Sequence, residues 1–397
     1  MKVLLIEGIH RDAAAAFLDA GFDVSQLKHS PPAEDLAGRM ADVDVLCVRS
    51  RTRLGEEALH AADNLLAVGA FCISTEHIDL DLCRKRGVAV FNAPYSNTRS
   101  VVELALGEII MLMRRAFDRS TDLHAGHWDK SAEGCVEIRG KRLGIVGYGN
   151  IGSQLSVLAE SLGMEVIYHD VAEKLSLGNA RRVSFEELLS TSDVVTLHVD
   201  GRPGNRGFFG EHEIALMKPG AVFLNLSRGF VVDMEAVARA LASGKLAGAA
   251  VDVFPKEPSS NTEVFRSPLQ GLRNVILTPH VGGSTEEAQQ NIGRFVSARV
   301  LDYIRTGGTS ASVNLPVIQP GERKGMHRLA HIHENTPGML ARINELFAKH
   351  GINITGQHLE TRGEIGYAVI DVDDDKGPAV APKLAALPGT IRSRLVY

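Results

Sequence analysis

At 397 residues the chain is too long for one compact hydrophobic core, and its length favours about two or three domains. Hydrophobic residues make up 44% and charged residues 23%, the balance of an ordinary globular protein, and the formal net charge of −5 gives no general attraction to nucleic acid or to an anionic membrane. Neither is therefore expected as a partner. No C-x-x-C pair occurs among the cysteines, so a reducing, cytoplasmic compartment is expected.

The N-terminal region alternates short apolar runs with amphipathic stretches. VLLIE, FDVSQL and VDVLCV are predicted strands, and helices are predicted near Asp12–Ala20 and Ala33–Met40. This alternation is typical of a doubly wound parallel sheet, which binds ligands beyond the carboxyl ends of its strands. The run Arg49, Ser50 and Arg51 directly follows the third strand. Two guanidinium groups there are compatible with an anion site and equally with a solvated basic turn.

An apolar stripe with helical spacing follows the segment NAPYSNTRS. It predicts one helix from about Thr98 to Ala125, long enough to cross between two lobes. The loop beyond this helix, HAGHWDK, carries the only tryptophan, Trp128. An isolated Trp on a polar loop is compatible with a contact to a partner subunit, and at least equally with the edge of a core.

The segment KRLGIVGYGNIGSQLSVLAESLGMEVIYHD reads as strand, glycine turn, amphipathic helix and strand. Gly147 makes the tight turn, Gly149 lets the backbone approach a pyrophosphate, and Gly152 lets the helix pack closely on the strand. The start of the helix offers N–H groups to the phosphates. Asp170 ends the second strand, where a carboxylate accepts hydrogen bonds from ribose hydroxyls and repels a 2′-phosphate, so NAD is predicted in preference to NADP. Four further positions are predicted to contact the cofactor: Asn150, Ile151, Asp252 and Gly282.

Strands and helices continue to alternate after this segment, which predicts that the same sheet continues. Arg228 follows the strand AVFLNLS, Glu257 follows GAAVDVF and His280 follows VILTP. Successive parallel strands end on one edge, so these three side chains are expected to converge beside the cofactor. There His280 would take a hydroxyl proton while NAD takes a hydride, and Glu257 would raise the imidazole pKa and fix its tautomer. Arg228 would bind a substrate carboxylate, which makes these three the predicted catalytic residues.

The remaining sequence completes the predicted domain organisation. Gly, Ser, Thr and Pro without apolar periodicity predict a linker over 307–325, and the order βαββαβ over 326–397 is the ferredoxin-like plan. A long helix before the linker is expected to return the chain to the first lobe. We therefore predict an α/β protein with two doubly wound domains: a discontinuous substrate-binding domain of 1–97 and 283–306, and a NAD-binding domain of 98–282.

Several segments together resemble the D-isomer-specific 2-hydroxyacid dehydrogenase family: GYGNIG, NLSRGFVVD, DVFPKEP and TPHVGGST. RSRT, FNAPYSNTRSVVELALGEI, HIHENTPGML and RSRLVY are similar to members of that family that act on a phosphorylated acid, and the terminal stretch resembles an ACT domain, a small-molecule sensor. The resemblance implies NAD-dependent oxidation of D-3-phosphoglycerate to 3-phosphohydroxypyruvate in L-serine biosynthesis, with feedback by L-serine. It implies that Arg228, Glu257 and His280 are catalytic.

The resemblance also implies binding roles outside the catalytic set. The implied substrate-binding residues are Arg49, Ser50, Arg51, Asn97 and Lys28. L-Serine is implied to sit between two ACT domains at His333, Asn335 and Asn353, so a homo-oligomer, and with a second contact around Trp128 a tetramer, is expected. No metal site is predicted, because the HIH run has no third ligand at suitable spacing. Two alternatives remain: a dehydrogenase acting on 2-hydroxyglutarate, and an NAD-sensing corepressor without turnover.

Overall fold

The computed structural model describes residues 1–258, 262–323, 327–373 and 377–396. Its contacts divide the chain into two compact units. The first is discontinuous and consists of Met1–Ser96 and Gln289–Tyr397, and the second consists of Asn97–Ala288. Within the described residues, none of the helices has both the length and the apolar character that crossing a membrane requires.

The first unit opens with a parallel sheet of five strands. They are β1 (Lys2–Ile6), β2 (Asp23–Leu27), β3 (Val45–Val48), β4 (Ala67–Ala70) and β5 (Ala89–Phe91). The helices between them are α1 (Arg11–Asp19), α2 (Ala33–Arg39), α3 (Glu56–His60) and α4 (Leu80–Lys85). The strand order is β2-β1-β3-β4-β5, and β3, β4 and β5 are buried throughout, as expected when helices cover both faces of a parallel sheet. The doubly wound sheet predicted here is confirmed.

The second unit holds a parallel sheet of seven strands. They are β6 (Arg142–Val146), β7 (Glu165–His169), β8 (Arg181–Arg182), β9 (Val194–Leu197), β10 (Ala221–Asn225), β11 (Leu246–Val251) and β12 (Val275–Leu277). The helices are α5 (Thr98–Met113), α6 (Ala116–His124), α7 (Asn150–Ser161), α8 (Phe185–Thr191), α9 (Glu211–Leu216) and α10 (Met234–Ala242). The strand order is β12-β11-β10-β9-β6-β7-β8. Strands β7 and β8 are added on one side of β6 and strands β9 to β12 on the other, and open parallel sheets form a ligand crevice at such a switch point, here between β6 and β9.

The helix predicted over Thr98–Ala125 is in fact two helices. Between α5 and α6, Arg115 has a left-handed backbone with φ 50°, which residues with a Cβ rarely adopt. Asp118 of α6 is buried and accepts the backbone N–H of Asn274 at 2.9 Å and 3.0 Å through its two oxygens. A tertiary contact therefore helps to set the direction of α6, and the apolar stripe alone does not reveal the break.

A long helix, α11 (Glu286–Thr306), leads towards the small C-terminal domain. The elements of that domain are β13 (His327–Glu334), α12 (Met339–Lys349), β14 (Ile354–Arg362), β15 (Ile365–Val372), α13 (Gly377–Ala385) and β16 (Thr390–Val396). The antiparallel order β14-β15-β13-β16 confirms the ferredoxin-like plan. Ile332, Tyr367 and Val396 of this sheet join the same apolar core as Phe91 of β5 and Tyr303 of α11.

The segment predicted as a linker, 307–325, has no helix or strand over the part that the structure describes, yet much of it is buried. The side-chain amide of Asn314 donates to the carbonyl of Val88 at 2.8 Å, and its oxygen accepts the N–H of Val90 at 2.9 Å. Two apolar side chains of the segment join the core of the first unit, Leu315 and Ile318. The segment therefore covers the edge of the first sheet, and is not a free tether.

Polar contacts strengthen the union of the C-terminal domain with the rest of the first unit. Arg328 of β13 and Asp371 of β15 form a bidentate ion pair with distances of 2.6 and 2.8 Å, and each residue is 3% exposed. The same guanidinium donates to the carbonyls of Thr306 and Gly321 at 3.1 Å. A buried arginine is tolerated only when its donors are satisfied in this way, so the contact fixes the position of β13.

Candidate active site

Loops after three neighbouring strands of the second sheet bring Arg228, Glu257 and His280 together. Nδ1 of His280 lies 2.8 Å from Oε2 of Glu257, and Oε1 of the same carboxylate accepts the N–H of Phe254 at 3.1 Å. The charge of Arg228 acts on the pKa of both groups. The structure thus places in one cluster the side chains that follow β10, β11 and β12.

The ionisation of this cluster favours an imidazole that carries a proton readily. The hydrogen bond to Glu257 raises the pKa of His280 above its ordinary value, against the opposing effects of burial and of Arg228. Burial acts to raise the pKa of Glu257, but the hydrogen bond and charge of His280 outweigh it and lower that pKa. Because Nδ1 faces the carboxylate, Nε2 is the ring nitrogen left to exchange a proton with a substrate.

Arg228 is positioned by the glycine that follows it. A Cβ at Gly229 would lie 1.9 Å from the carbonyl carbon of Phe254, so only glycine lets this turn pack against the loop after β11. Asn225 donates to the carbonyl of Arg228 at 3.2 Å, and Nη1 of Arg228 donates to the carbonyl of Ser227 at 2.8 Å. The other guanidinium nitrogens have no partner among the described residues, which leaves donors for a carboxylate.

His280 lies on a loop that Asp252, one of the residues predicted to contact the cofactor, holds in place. Oδ1 of Asp252 accepts the Thr278 hydroxyl at 2.6 Å and the N–H of Val281 at 2.8 Å, and Oδ2 accepts the N–H of Gly282 at 2.9 Å. Its backbone carbonyl accepts the N–H of His280 at 2.8 Å. These bonds hold His280 in a left-handed conformation with φ 54°. Asp252 therefore positions the imidazole, a role that the sequence reasoning missed.

A second buried carboxyl group, Glu108 of α5, lies within electrostatic range of Asp252 and was also missed. It is 2% exposed, and neither carboxyl oxygen has a hydrogen-bond partner among the described residues. Burial, with an additional effect from Asp252, raises the pKa of Glu108 to about 8. Its sequence signal is one glutamate on the buried face of a largely apolar helix.

Glu108→Gln is expected to stabilise the protein at alkaline pH and to change its stability little at acid pH. The folded chain retains the Glu108 proton up to about pH 8, whereas the unfolded chain loses it near 4.5, so wild-type stability falls as pH rises between these values. The expected gain in unfolding free energy is about 4 kcal/mol at pH 8.5 and below about 1 kcal/mol at pH 5. Urea unfolding at both pH values measures it; equal effects would contradict a buried, protonated carboxyl.

The glycine turn before α7 has the shape that a dinucleotide requires. Gly147 has φ 93°, and a Cβ there would lie 2.7 Å from the carbonyl oxygen of His198. A Cβ at Gly152 would lie 2.3 Å from the carbonyl oxygen of Gly147, so the helix packs on the strand at backbone distance. A Cβ at Gly149 would meet nothing within 4 Å, which leaves room for a pyrophosphate beside the uncapped start of α7. The first turn of α7 contains the other predicted contacts, Asn150 and Ile151.

Asp170 lies at the end of β7, next to this turn. Its Oδ2 accepts the N–H of Tyr148 at 2.8 Å, and its Oδ1 accepts the N–H of Ala172 at 2.9 Å. Each oxygen retains a further acceptor position for a ribose hydroxyl. A cleft beside the turn is lined by Tyr148, Gly149, Asn150, Ser153, Lys174, Leu175 and Leu177. Free N–H groups, open space at Gly149 and a carboxylate at the strand end together fit NAD.

The substrate-binding residues predicted in the first unit lie on loops after β2 and β3, the two strands that flank β1 in the sheet. Lys28 follows β2, and the run Arg49, Ser50 and Arg51 follows β3. The cationic groups of these loops have no hydrogen-bond or ion-pair partner among the described residues, so they are available to an anion. Asn97 precedes α5 in the second unit, and its buried side-chain oxygen has no hydrogen-bond partner among the described residues.

The three predicted effector-binding residues do not meet within one chain. His333 is buried near the end of β13 and pairs with Gly366 of β15, and Asn335 follows it and donates to the carbonyl of Gly363 at 3.0 Å. Asn353 is exposed at the start of β14, at the opposite end of the sheet, where its carbonyl accepts the N–H of Asp373. Within one domain the predicted residues therefore lie at two opposite ends of the sheet. No group of three or more His, Cys, Asp or Glu side chains in the described part of the chain is arranged to hold a metal ion.

Comparisons with known proteins agree with this geometry. The family model described as D-isomer specific 2-hydroxyacid dehydrogenase, NAD binding domain, matches residues 106–282, and an AHAS small subunit-like ACT domain matches residues 329–392. Among solved structures, D-2-hydroxyisocaproate dehydrogenase is similar at 25% identity and a TM-score of 0.70, over 79% of this chain and 100% of that chain. A D-lactate dehydrogenase from Sporolactobacillus sp. is similar at 29% identity and a TM-score of 0.67, over 79% and 99%.

Similarity to curated relatives extends over the whole chain. It is 49% identical to D-3-phosphoglycerate dehydrogenase of Haemophilus influenzae, over 100% of this chain and 97% of the relative. It is 48% identical to the protein of the same name from Escherichia coli K12, over 100% and 98%. The chain therefore belongs to the D-isomer specific 2-hydroxyacid dehydrogenases, with an NAD-binding domain and an ACT domain.

Proposed function

We propose that this protein catalyses the NAD-dependent oxidation of D-3-phosphoglycerate to 3-phosphohydroxypyruvate. The observation that carries the proposal is the hydrogen-bonded pair of His280 and Glu257 with Arg228 beside it, at the edge of the NAD-binding sheet. Full-length relatives at 48% and 49% identity that are named D-3-phosphoglycerate dehydrogenase support the choice of substrate.

The proposed chemistry is one proton transfer and one hydride transfer. Gly147, Gly149 and Asp170 would hold NAD, which when bound accepts the hydride that leaves C2 of the substrate. Nε2 of His280 takes the proton of the C2 hydroxyl, so a carbonyl forms, and Glu257 stabilises the resulting imidazolium. In the reverse direction the imidazolium returns this proton to the carbonyl oxygen.

Two anionic groups of the substrate require separate cations. Arg228 would bind the carboxylate next to the reacting carbon through two parallel hydrogen bonds. The phosphate would be bound by Arg49 and Arg51, with Lys28 contributing charge. The absence of internal partners for these cationic groups within the described residues supports this role.

Regulation by L-serine and assembly into a homo-oligomer, a tetramer, are part of the proposal. The ACT domain supports binding of a small-molecule effector. His333 and Asn335 lie at one end of the C-terminal sheet and Asn353 at the other, so a site with all three would require a second copy. Their amide and imidazole groups suit the carboxylate, ammonium and hydroxyl of an amino acid.

Initial rates of NADH consumption test the proposal. 3-Phosphohydroxypyruvate should be reduced with a kcat/KM above that of 2-oxoglutarate, and L-serine should lower the rate. If only 2-oxoglutarate is reduced, the chain is a related dehydrogenase with another substrate. If neither acid is reduced while NADH still binds, the proposed enzymatic function is wrong and a cofactor-sensing role without turnover takes its place. Turnover that serine does not affect would contradict only the regulatory part.

A further inference from the structure

The loop after β1 lies between the two loops that carry the free cations of the first sheet. The strand order β2-β1-β3 places the end of β1 between the end of β2, which leads to Lys28, and the end of β3, which leads to Arg49 and Arg51. The carboxyl ends of parallel strands share one edge. The first residue after β1 is Glu7, an anion among cations.

The carboxylate of Glu7 binds the backbone of the cationic loop, and not its side chains. Oε2 accepts the N–H of Arg51 at 3.1 Å, and Oε1 accepts the N–H of Thr52 at 2.8 Å. Thr52 is 2% exposed, and its hydroxyl donates to Oγ of Ser30, on the loop after β2, at 2.9 Å. Among the described residues, Glu7 forms no ion pair with Arg49 or Arg51, so both guanidinium groups stay available.

The backbone of Glu7 is unusual for a residue with a side chain. Its φ is 69°, in the left-handed region that glycine adopts without strain. The N–H of the next residue, Gly8, is tied to the carbonyl of Leu27 at the end of β2, at 3.2 Å. The turn therefore links both neighbouring loops, and the carboxylate supplies two contacts that glycine at this position would lack.

We propose that Glu7 is a positioning residue that fixes the loop Arg49–Thr52 for binding of the substrate phosphate, and so favours phosphorylated over unphosphorylated hydroxy acids. The inference rests on the proposed function, since it concerns the same substrate. Glu7 contacts the backbone of the loop, whereas Arg49 and Arg51 would contact the substrate.

Glu7→Gly removes the two hydrogen bonds from the Arg51 and Thr52 amides to the carboxylate without adding backbone strain, because glycine suits φ 69°. We expect KM for 3-phosphohydroxypyruvate to rise about 10-fold or more, with kcat at saturation within about 3-fold, since two charge-assisted hydrogen bonds that order the loop are lost. KM for hydroxypyruvate, the same acid without phosphate, should change by less than about 2-fold. Glu7→Gln keeps one acceptor oxygen, so its effect on KM should be intermediate.

A matched control and a second readout distinguish loss of the Glu7 contacts to the loop from a general effect on folding. Ala311, exposed and with φ 67°, offers another left-handed position in the same unit, and Ala311→Gly should leave both KM values unchanged. Hydrogen exchange of the Arg51 and Thr52 amides should accelerate in Glu7→Gly only. Equal KM changes for both acids, or amide exchange that Glu7→Gly leaves unchanged, would overturn the inference. A wild-type protein that reduces no phosphorylated acid would overturn the proposed function and the role of Glu7 in specificity. Amide exchange would still test whether Glu7 orders the loop.

Discussion

Replacing His280 with alanine is expected to lower kcat for 3-phosphohydroxypyruvate reduction by about 10²- to 10⁴-fold while NADH still binds. The variant lacks the imidazole that exchanges the proton, which is the usual contribution of general acid–base catalysis. Its dissociation constant for NADH should stay within about 3-fold, because the glycine turn and Asp170 are untouched. Stopped-flow turnover and NADH fluorescence titration measure the two effects.

His280→Asn provides the control, because asparagine tolerates the left-handed backbone with φ 54° better than alanine. Both variants should lose turnover alike, and melting temperatures should separate backbone strain from lost chemistry. Wild-type oxidation should also fall as pH drops through the raised pKa of His280, since the base must be neutral. Turnover by His280→Asn near the wild-type rate would rule out the proposed base.

Replacing Arg228 with glutamine is expected to lower kcat/KM by about 10²- to 10³-fold, through both a higher KM and a lower kcat. A guanidinium that binds a carboxylate with two hydrogen bonds and polarises the adjacent carbonyl acts in the ground state and the transition state. Steady-state rates at varied 3-phosphohydroxypyruvate concentration separate the two parameters.

Arg228→Lys is the matched control for charge. Lysine keeps the positive charge and loses the planar fork, so its kcat/KM should lie between those of the wild type and the glutamine variant. If both variants lose activity and NADH binding together, disruption of the turn at Gly229 would explain the result, because that turn packs on Phe254.

The parts of the site that sequence can predict are those that local spacing determines. Gly147, Gly149 and Gly152 have fixed offsets between a strand and a helix, and the structure gives each a distinct steric setting. Arg228 and His280 follow strands of one parallel sheet, so topology alone brings them to one edge. The alternation of strands and helices likewise predicted both parallel sheets and the ferredoxin-like order, because hydrophobic periodicity reports local structure.

What sequence did not predict depends on contacts between distant segments. The break at Arg115 lies inside a continuous apolar stripe, and the contact of Asp118 with Asn274 bridges 156 residues. The carboxylate of Asp252 fixes the His280 loop through three hydrogen bonds that no sequence motif indicates. Asn314 binds backbone groups of Val88 and Val90, more than 220 residues away. Composition alone therefore predicts a linker and does not reveal that this segment packs against the first sheet.

The shared core of the first unit has a consequence for how the protein unfolds and how it can be divided. The C-terminal sheet contributes Ile332, Tyr367 and Val396 to the same core as Phe91 and Tyr303, and the buried pair of Arg328 and Asp371 is tied to the preceding segment. Structure of this kind melts cooperatively. The C-terminal domain is therefore not a detachable module, and its removal would expose apolar surface of the core that it shares with the N-terminal sheet.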